Sequence, residues 1–284
     1  MVSNSLFFED FYLGQRFESA EFAVSSDDLT DFARVSGDRH PMHTADGGAD
    51  ERFDGPIAHG PWGIARYFGL LFDSGVVEDS AIALLDTNWR YLAPVTVGMK
   101  LRFSTVVTGC RRRSDGAEGV VNRQIELRDD QGHLLQRGTS AFLVRARQGQ
   151  PSDQDPAGNA PLTPRWARAV ADRLAANTEF AGATQLFDGA IGLATERDEV
   201  QFRIYRGKII EVAARTPRGA SFTLRGDELF WTELFTGPRN DLMVRALRGQ
   251  FRVQGDAYVY LQLTKPVHLL IDAARELVAE ERSQ

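Results

Sequence analysis

An aspartate and a histidine, Asp38 and His43, stand five residues apart in the run Gly37-Asp38-Arg39-His40-Pro41-Met42-His43. A carboxylate and an imidazole held on a rigid turn can polarise one water molecule between them, which is what general acid–base catalysis requires. The preceding segment must supply the rigidity. Leu29, Phe32 and Ala33 recur at near-helical spacing, and Ser25 with Asp28 makes a capping box, so a helix is predicted over about 27–36. Gly37 is the natural stop for that helix, and Pro41 keeps it from resuming. Taken alone, an Asp/His pair in such a place is more often a helix cap with surface histidines than a catalyst.

The surroundings reverse that balance. The stretch from Phe32 through Gly37-Asp38-Arg39-His40-Pro41-Met42-His43 to Ala49 resembles the hydratase-2 signature of the MaoC-like (R)-specific enoyl-thioester hydratases. That signature is an aromatic residue, a small residue, Gly-Asp-x-Asn-Pro-aliphatic-His, and a further small residue. Pro56-Ile57-Ala58-His59-Gly60 looks like the family's second landmark, the turn that opens its long central helix. Asn88-Trp89-Arg90-Tyr91-Leu92-Ala93-Pro94-Val95 followed by Gly98 is similar to its strand entering a Pro-Val-x-x-Gly turn. The resemblance covers residues 7 to about 147. Two positions depart from it: His40 stands where the family usually has Asn, and Met42 where it has Leu or Ile. A serine that some relatives place on the central helix corresponds to Phe68. The His40 change alters donor and acceptor reach near the substrate.

The resemblance implies a hotdog fold, an antiparallel sheet wrapped round a central helix. It also implies Asp38 and His43 as the catalytic pair acting on the water that adds to, or leaves from, a trans-2-enoyl thioester. The Gly60 amide is then the candidate to receive the charge on the thioester oxygen, with His40 and His59 as further substrate-side residues and His59 chiefly a part of the turn. Coenzyme A or phosphopantetheine enters only as part of the substrate, and no separate cofactor is expected. No metal is expected either, since the chemistry runs on proton transfer and the His/Asp spacing matches no closed ligand set.

Bulk properties fit a cytoplasmic enzyme. A length of 284 residues predicts two ordinary domains, and 43% apolar with 25% charged residues is the balance of a globular chain. One cysteine, Cys110, rules out an intrachain disulfide framework. A basic start followed by an apolar stretch is missing, and no apolar run is long enough to span a bilayer. The negative charge sits in residues 1–163, which carry −7 against +1 in residues 164–284, and neither half has the basic footprint of a nucleic-acid binder. The one dense basic cluster, Arg111-Arg112-Arg113, reads as a solvated hairpin turn, with contact to thioester-carrier phosphates as the alternative.

Three segments are predicted: a domain over 1–147, a flexible Pro/Gly-rich linker over 148–163, and a second domain over 164–284. In the first, a helix from about His59 to Phe72 precedes strands near Ala81–Tyr91, Lys100–Thr108, Gly119–Arg128 and Leu134–Val144. Turn signals between the last three predict an antiparallel meander, and a helix on such a sheet is an α+β arrangement. One open sheet edge is usually paired or covered, which together with the resemblance predicts a homodimer.

In the second domain, Trp166, Val170 and Leu174 predict an amphipathic helix over Pro164–Asn177. Short strands are predicted at Gly189–Thr195, Glu199–Tyr205, Ile209–Ala213 and Ala220–Leu224, and a helix over Asp227–Phe235. A hairpin of Gly249–Gln254 with Tyr258–Leu263 and a closing helix over Lys265–Glu280 complete it. Phe202 to Val212, Ala220 to Leu224 and Leu247 to Asp256 resemble the sterol-carrier-protein-2 (SCP2) type of lipid-binding domain. That resemblance implies an α/β-layer domain with an apolar site for a lipid or acyl chain; a purely structural partner domain is the alternative. Two other functions compete with the hydratase: a pathway-specific dehydratase on a carrier-bound polyketide-type intermediate, and a non-catalytic acyl or lipid binder.

Overall fold

The computed structural model describes residues 5–44, 53 and 55–282. The chain divides into two compact units. Met1–Phe11, Gln15–Val107 and Asp115–Gly149 form the first; Tyr12–Gly14, Thr108–Ser114 and Gln150–Gln284 form the second.

The first unit is built from β1 (Arg16–Glu18), β2 (Phe22–Ala23), α1 (Ser26–Ser36), α2 (Gly60–Asp73), β3 (Ala81–Tyr91), β4 (Lys100–Arg112, of which the residues up to Val107 belong to this unit), β5 (Glu118–Asp129) and β6 (Leu134–Arg145). The capping box read from the sequence is formed at α1: Ser25 Oγ accepts from the Asp28 amide at 3.1 Å, and Asp28 accepts from the Ser25 amide at 2.8 Å. The sheet is antiparallel in the order β1-β4-β5-β6-β3, with β2 also on β4. The expected α+β arrangement is therefore present, one long helix against one antiparallel sheet.

Alternation along the strands sends Leu101 and Phe103 of β4, Ile125 and Leu127 of β5 and Leu135 of β6 into a core with Leu29 and with Trp62 and Tyr67 of α2. The helix comes very close to β6. A Cβ on Gly63 would lie 2.2 Å from Gln136 Oε1, so only glycine allows that approach. Gln136 Oε1 in turn accepts from the Trp89 indole at 2.9 Å. At the far edge of the sheet β3 leaves Ile82, Leu84, Leu85 and Tyr91 exposed.

The second unit contains α3 (Pro164–Leu174), α4 (Thr178–Ala183), β7 (Asp188–Ala194), β8 (Glu199–Tyr205), β9 (Lys208–Ala213), β10 (Phe222–Gly226), α5 (Glu228–Thr236), α6 (Leu242–Leu247), β11 (Phe251–Gly255), α7 (Ala257–Gln262) and α8 (Thr264–Glu281). Its sheet runs β11-β10-β7-β8-β9, antiparallel except for the parallel β10–β7 pair. One face of the sheet, carrying Ile191, Phe202 and Phe222, is packed with Trp166 of α3, Trp231 and Phe235 of α5, and Ile271 of α8, all essentially buried.

Three expectations change here. Tyr258–Leu263 is not a strand: Asp256 caps a helix by accepting from the Tyr258 and Val259 amides at 2.9 and 3.1 Å, and β11 pairs with β10 instead. The segment 148–163, read as a linker with little to bury, carries two short 3-10 turns and buries Ala157 and Gly158. The amides of those two residues donate to the Glu281 carboxylate at 2.9 and 2.6 Å. Arg111 and Arg112 are not a solvated turn either. Arg112 is buried against Asp155 at 2.9 Å, and Arg111 pairs with Asp198 at 2.6 Å. Among the described residues no helix is long and apolar enough to cross a membrane.

Candidate active site

Asp38 and His43 are held by the chain on either side of them. Gly37 ends α1 in the left-handed region, φ +78°, with its amide on the Ala33 carbonyl at 3.0 Å. The Asp38 amide donates to Ser36 Oγ at 3.2 Å, and Asp38 Oδ1 accepts from the His40 amide at 3.1 Å. A single 3-10 turn, Pro41–His43, then delivers the histidine. His40, which stands where the resembled signature has Asn, caps that turn: its Nδ1 accepts from the Met42 amide at 3.3 Å. An asparagine side-chain oxygen could accept the same bond, so the substitution keeps the turn and changes what faces solvent.

The second wall of the site comes from residues 57–60. The Ile57 amide donates to the Met42 carbonyl at 3.0 Å, and the Ala58 amide to the Val95 carbonyl at 2.7 Å. The Ile57 carbonyl lies 2.7 Å from His43 Nδ1. A carbonyl only accepts, so Nδ1 carries the proton and a neutral His43 presents a lone pair at Nε2. That Nε2 stands 3.9 Å from Asp38 Oδ2. The gap is too long for a direct hydrogen bond and suits one water bridging the two. His43 is buried, whereas the Asp38 side chain is about half exposed.

His59 lies beneath this pair. Its Nε2 donates to the Asp38 carbonyl at 2.9 Å, its ring stacks on His43 at 3.9 Å between centroids, and Phe32 closes on it at 5.0 Å. It is also the residue before α2, whose first member is Gly60. As the first residue of a helix, Gly60 has an amide with no intrahelical acceptor, directed where the helix dipole favours negative charge. A Cβ at Gly60 would lie 3.2 Å from the Tyr91 ring, so the glycine keeps the approach to that amide narrow.

The ligand-bearing atoms of Asp38, His43 and His59 lie within 4.8 Å of one another. The stacking argues against their sharing one ion. Rings 25° apart and 3.9 Å between centres hold their in-plane lone pairs in separate, nearly parallel planes, whereas an ion shared by both needs each nitrogen's lone pair aimed at it from about 2.0–2.1 Å.

The five residues singled out from the sequence, Asp38, His40, His43, His59 and Gly60, thus fall in one neighbourhood linked by hydrogen bonds, stacking and chain continuity. Sequence reasoning missed Ile57, which acts through its backbone, and Phe32 and Tyr91, whose packing roles depend on which faces meet. His133 pairs with Asp129 at 2.9 Å in a surface turn, and the His268 carbonyl accepts from Asn240; both stand apart from the site's contacts.

A family model described as "MaoC like domain" matches residues 10–127. A search of curated proteins by sequence finds no match. Among solved structures, one described as a monoamine oxidase regulatory protein from Archaeoglobus is 25% identical over 51% of this chain and 97% of its own, with a TM-score of 0.47. The MaoC-like dehydratase from Rhodospirillum rubrum is 26% identical over 51% of this chain and 99% of its own, TM-score 0.44. The R-hydratase PhaJ1 from Pseudomonas aeruginosa is 21% identical over 51% of this chain and 93% of its own, TM-score 0.42.

Proposed function

We propose that the MaoC-like domain within residues 10–127 is a hydro-lyase that adds water to, or removes it from, the α,β double bond of an enoyl thioester. The observation that carries the proposal is the 3.9 Å gap between Asp38 Oδ2 and His43 Nε2, with the His43 tautomer set by the Ile57 carbonyl. Both groups are acceptors. A water between them donates one hydrogen to each and turns a lone pair outward, toward Cβ of the substrate.

In the hydration direction Asp38 takes a proton from that water as its oxygen bonds to Cβ. The π pair shifts through Cα to the thioester oxygen, where the Gly60 amide receives the charge. The proton held by Asp38 returns to Cα, with His43 Nε2 holding the water and assisting the transfer. The product is the 3-hydroxyacyl thioester, and dehydration retraces the path. His40 borders the site and bears on which acyl groups enter it.

The test is hydration of crotonyl-CoA by the full chain, followed as loss of the conjugated-thioester absorbance. Turnover that falls at least about a hundredfold in Asp38→Asn supports the reading, since positioned acid–base groups contribute 10²–10⁴-fold. Turnover unchanged in that variant rejects the assigned residues. The exposed edge strand β3, with Leu84 and Leu85, is where a second copy would extend the sheet. Leu85→Lys is expected to turn a dimer into a monomer in light scattering.

The second unit supports an additional lipid-binding reading through α6 and α7. Ala246, Val259 and Tyr260 pack inward on the core, while Met243, Val244, Leu247, Tyr258 and Leu261 are exposed. Surface apolar residues clustered on two short helices suit contact with an acyl chain. Displacement of a fluorescent fatty acid from the full chain, lost in Leu247→Glu/Leu261→Glu, is the expected result; failure of the probe to bind leaves this unit a structural role.

A further inference from the structure

The most unusual polar group in the first unit is Arg123, on β5 and 3% exposed. Its position in the alternation with Val121, Ile125 and Leu127 points it inward, under α2. The guanidinium donates to Ser140 Oγ at 3.1 Å, lies 3.9 Å over the Phe142 ring and 5.5 Å from the Tyr67 ring, and leaves Nε buried with no partner. Among the described residues no carboxylate pairs with it. A buried cation without a counter-charge is costly, and one whose donors are unmet is more so.

One of its neighbours shares the deficit. Strand register places Thr87 of β3, Ser140 of β6 and Arg123 of β5 in one row across the sheet. Thr87 Oγ1 is also buried and unpartnered. The row offers hydroxyl and guanidinium donors and a positive charge, and it holds no anion.

Two independent rulers place the row relative to Gly60. Along α2, Tyr67 is seven residues beyond Gly60, about 10 Å at the helical rise per residue. Along β3, Tyr91 abuts Gly60 and Thr87 lies four residues away, about 13 Å at the strand rise. Both distances match the span of a medium-length acyl chain.

We infer that Thr87, Ser140 and Arg123 recognise a carboxylate at the far end of the acyl chain, so that the substrate class is a medium-chain enoyl thioester with a distal carboxylate. The inference rests on the thioester carbonyl sitting at Gly60, as proposed above. A carboxylate there would accept from Arg123 Nε and from the Thr87 hydroxyl and would neutralise the buried cation, forming charge-assisted bonds that a methyl terminus cannot make.

Saturated thioesters test this without any turnover. Octanoyl-CoA and suberoyl-CoA, equal in length and different only at the far end, are titrated into the full chain by calorimetry. Suberoyl-CoA is expected to bind at least about tenfold more tightly, the scale of one charge-assisted hydrogen bond. Arg123→Met should abolish the preference and Arg123→Lys should retain part of it. Ser140→Ala, which removes only the bond fixing the guanidinium, should narrow it if Arg123→Met does not fold. Equal binding of the two ligands, or a preference unchanged in these variants, overturns the inference and leaves the thioester reading standing. Binding of neither overturns both.

Discussion

The two units treat their interior polar groups differently. Of the buried side-chain nitrogen and oxygen atoms without a partner among the described residues, His59 Nδ1, Arg66 Nε, Thr87 Oγ1 and Arg123 Nε belong to the first unit, and only Trp166 Nε1 to the second. The second unit is a filled core: Trp166, Trp231, Phe202 and Phe222 interlock, and the Trp231 indole donates to the Ala194 carbonyl at 2.9 Å. Packing of that kind stabilises a fold and leaves little for a ligand to satisfy. The first unit keeps unmet donors and acceptors beside its central helix, at a cost its apolar core must offset, and that is what a reacting water and an acyl thioester would complete.

The largest stability effect should separate the two units. Trp166→Ala empties a large, fully buried site in the second unit and is expected to cost about 3–5 kcal/mol. In chemical denaturation Asp38→Asn, half exposed in the first unit, should move stability by less than about 0.5 kcal/mol while removing activity. If Asp38→Asn unfolds the chain, the contrast between packing residue and reacting residue fails.

A smaller effect is expected where α2 meets β6. Gly63→Ala must displace Gln136 Oε1, 2.2 Å from the new Cβ, and so disturb the bond to the Trp89 indole. Overpacking of this sort costs about 1–3 kcal/mol, against which the better helix propensity of alanine returns about 1 kcal/mol. Net destabilisation with an altered near-UV tryptophan signal is the expected outcome. A stabilised variant would mean the helix is free to shift.

The smallest effect is a pH dependence in the second unit. Burial pushes the Glu228 carboxyl up, outweighing the opposing pull of Arg197 and the hydrogen bond from Thr108. A carboxyl raised in the folded state favours folding below its unfolded value of about 4.3 and loses that contribution as pH climbs through the folded value. At neutral pH the ionised group therefore costs stability. Glu228→Gln should raise the melting temperature at pH 7–8, with the gain shrinking toward pH 4. A lower melting temperature at pH 7 would show that the arginines win.

Much of this architecture was legible in the sequence. The Ser25/Asp28 box and Gly37 bound α1 as read, and the β-branched alternation between turn signals marked β4, β5 and β6. The site was legible where it depends on close spacing: Asp38, His40 and His43 lie on one turn, and His59-Gly60 opens α2. What escaped depends on contacts distant in sequence. Nothing in Gln148–Thr163 announced that Glu281 would hold the amides of Ala157 and Gly158. Tyr258–Leu263 has the apolar content of a strand, and only the capping by Asp256 decides for a helix. Arg123 shares the alternation of Val121, Ile125 and Leu127, but only the register shows that Ser140 and Thr87 lie beside it.

The proposed mechanism makes Asp38 and His43 one functional unit through a shared water, which a double-mutant cycle on the hydration rate tests most directly. Asp38→Asn, His43→Gln and the double variant are compared with wild type on crotonyl-CoA. Because either change alone releases the water, the double variant should be no slower than the slower single one. Losses that multiply, or single variants that keep the wild-type rate, would show that the two side chains do not hold a common water.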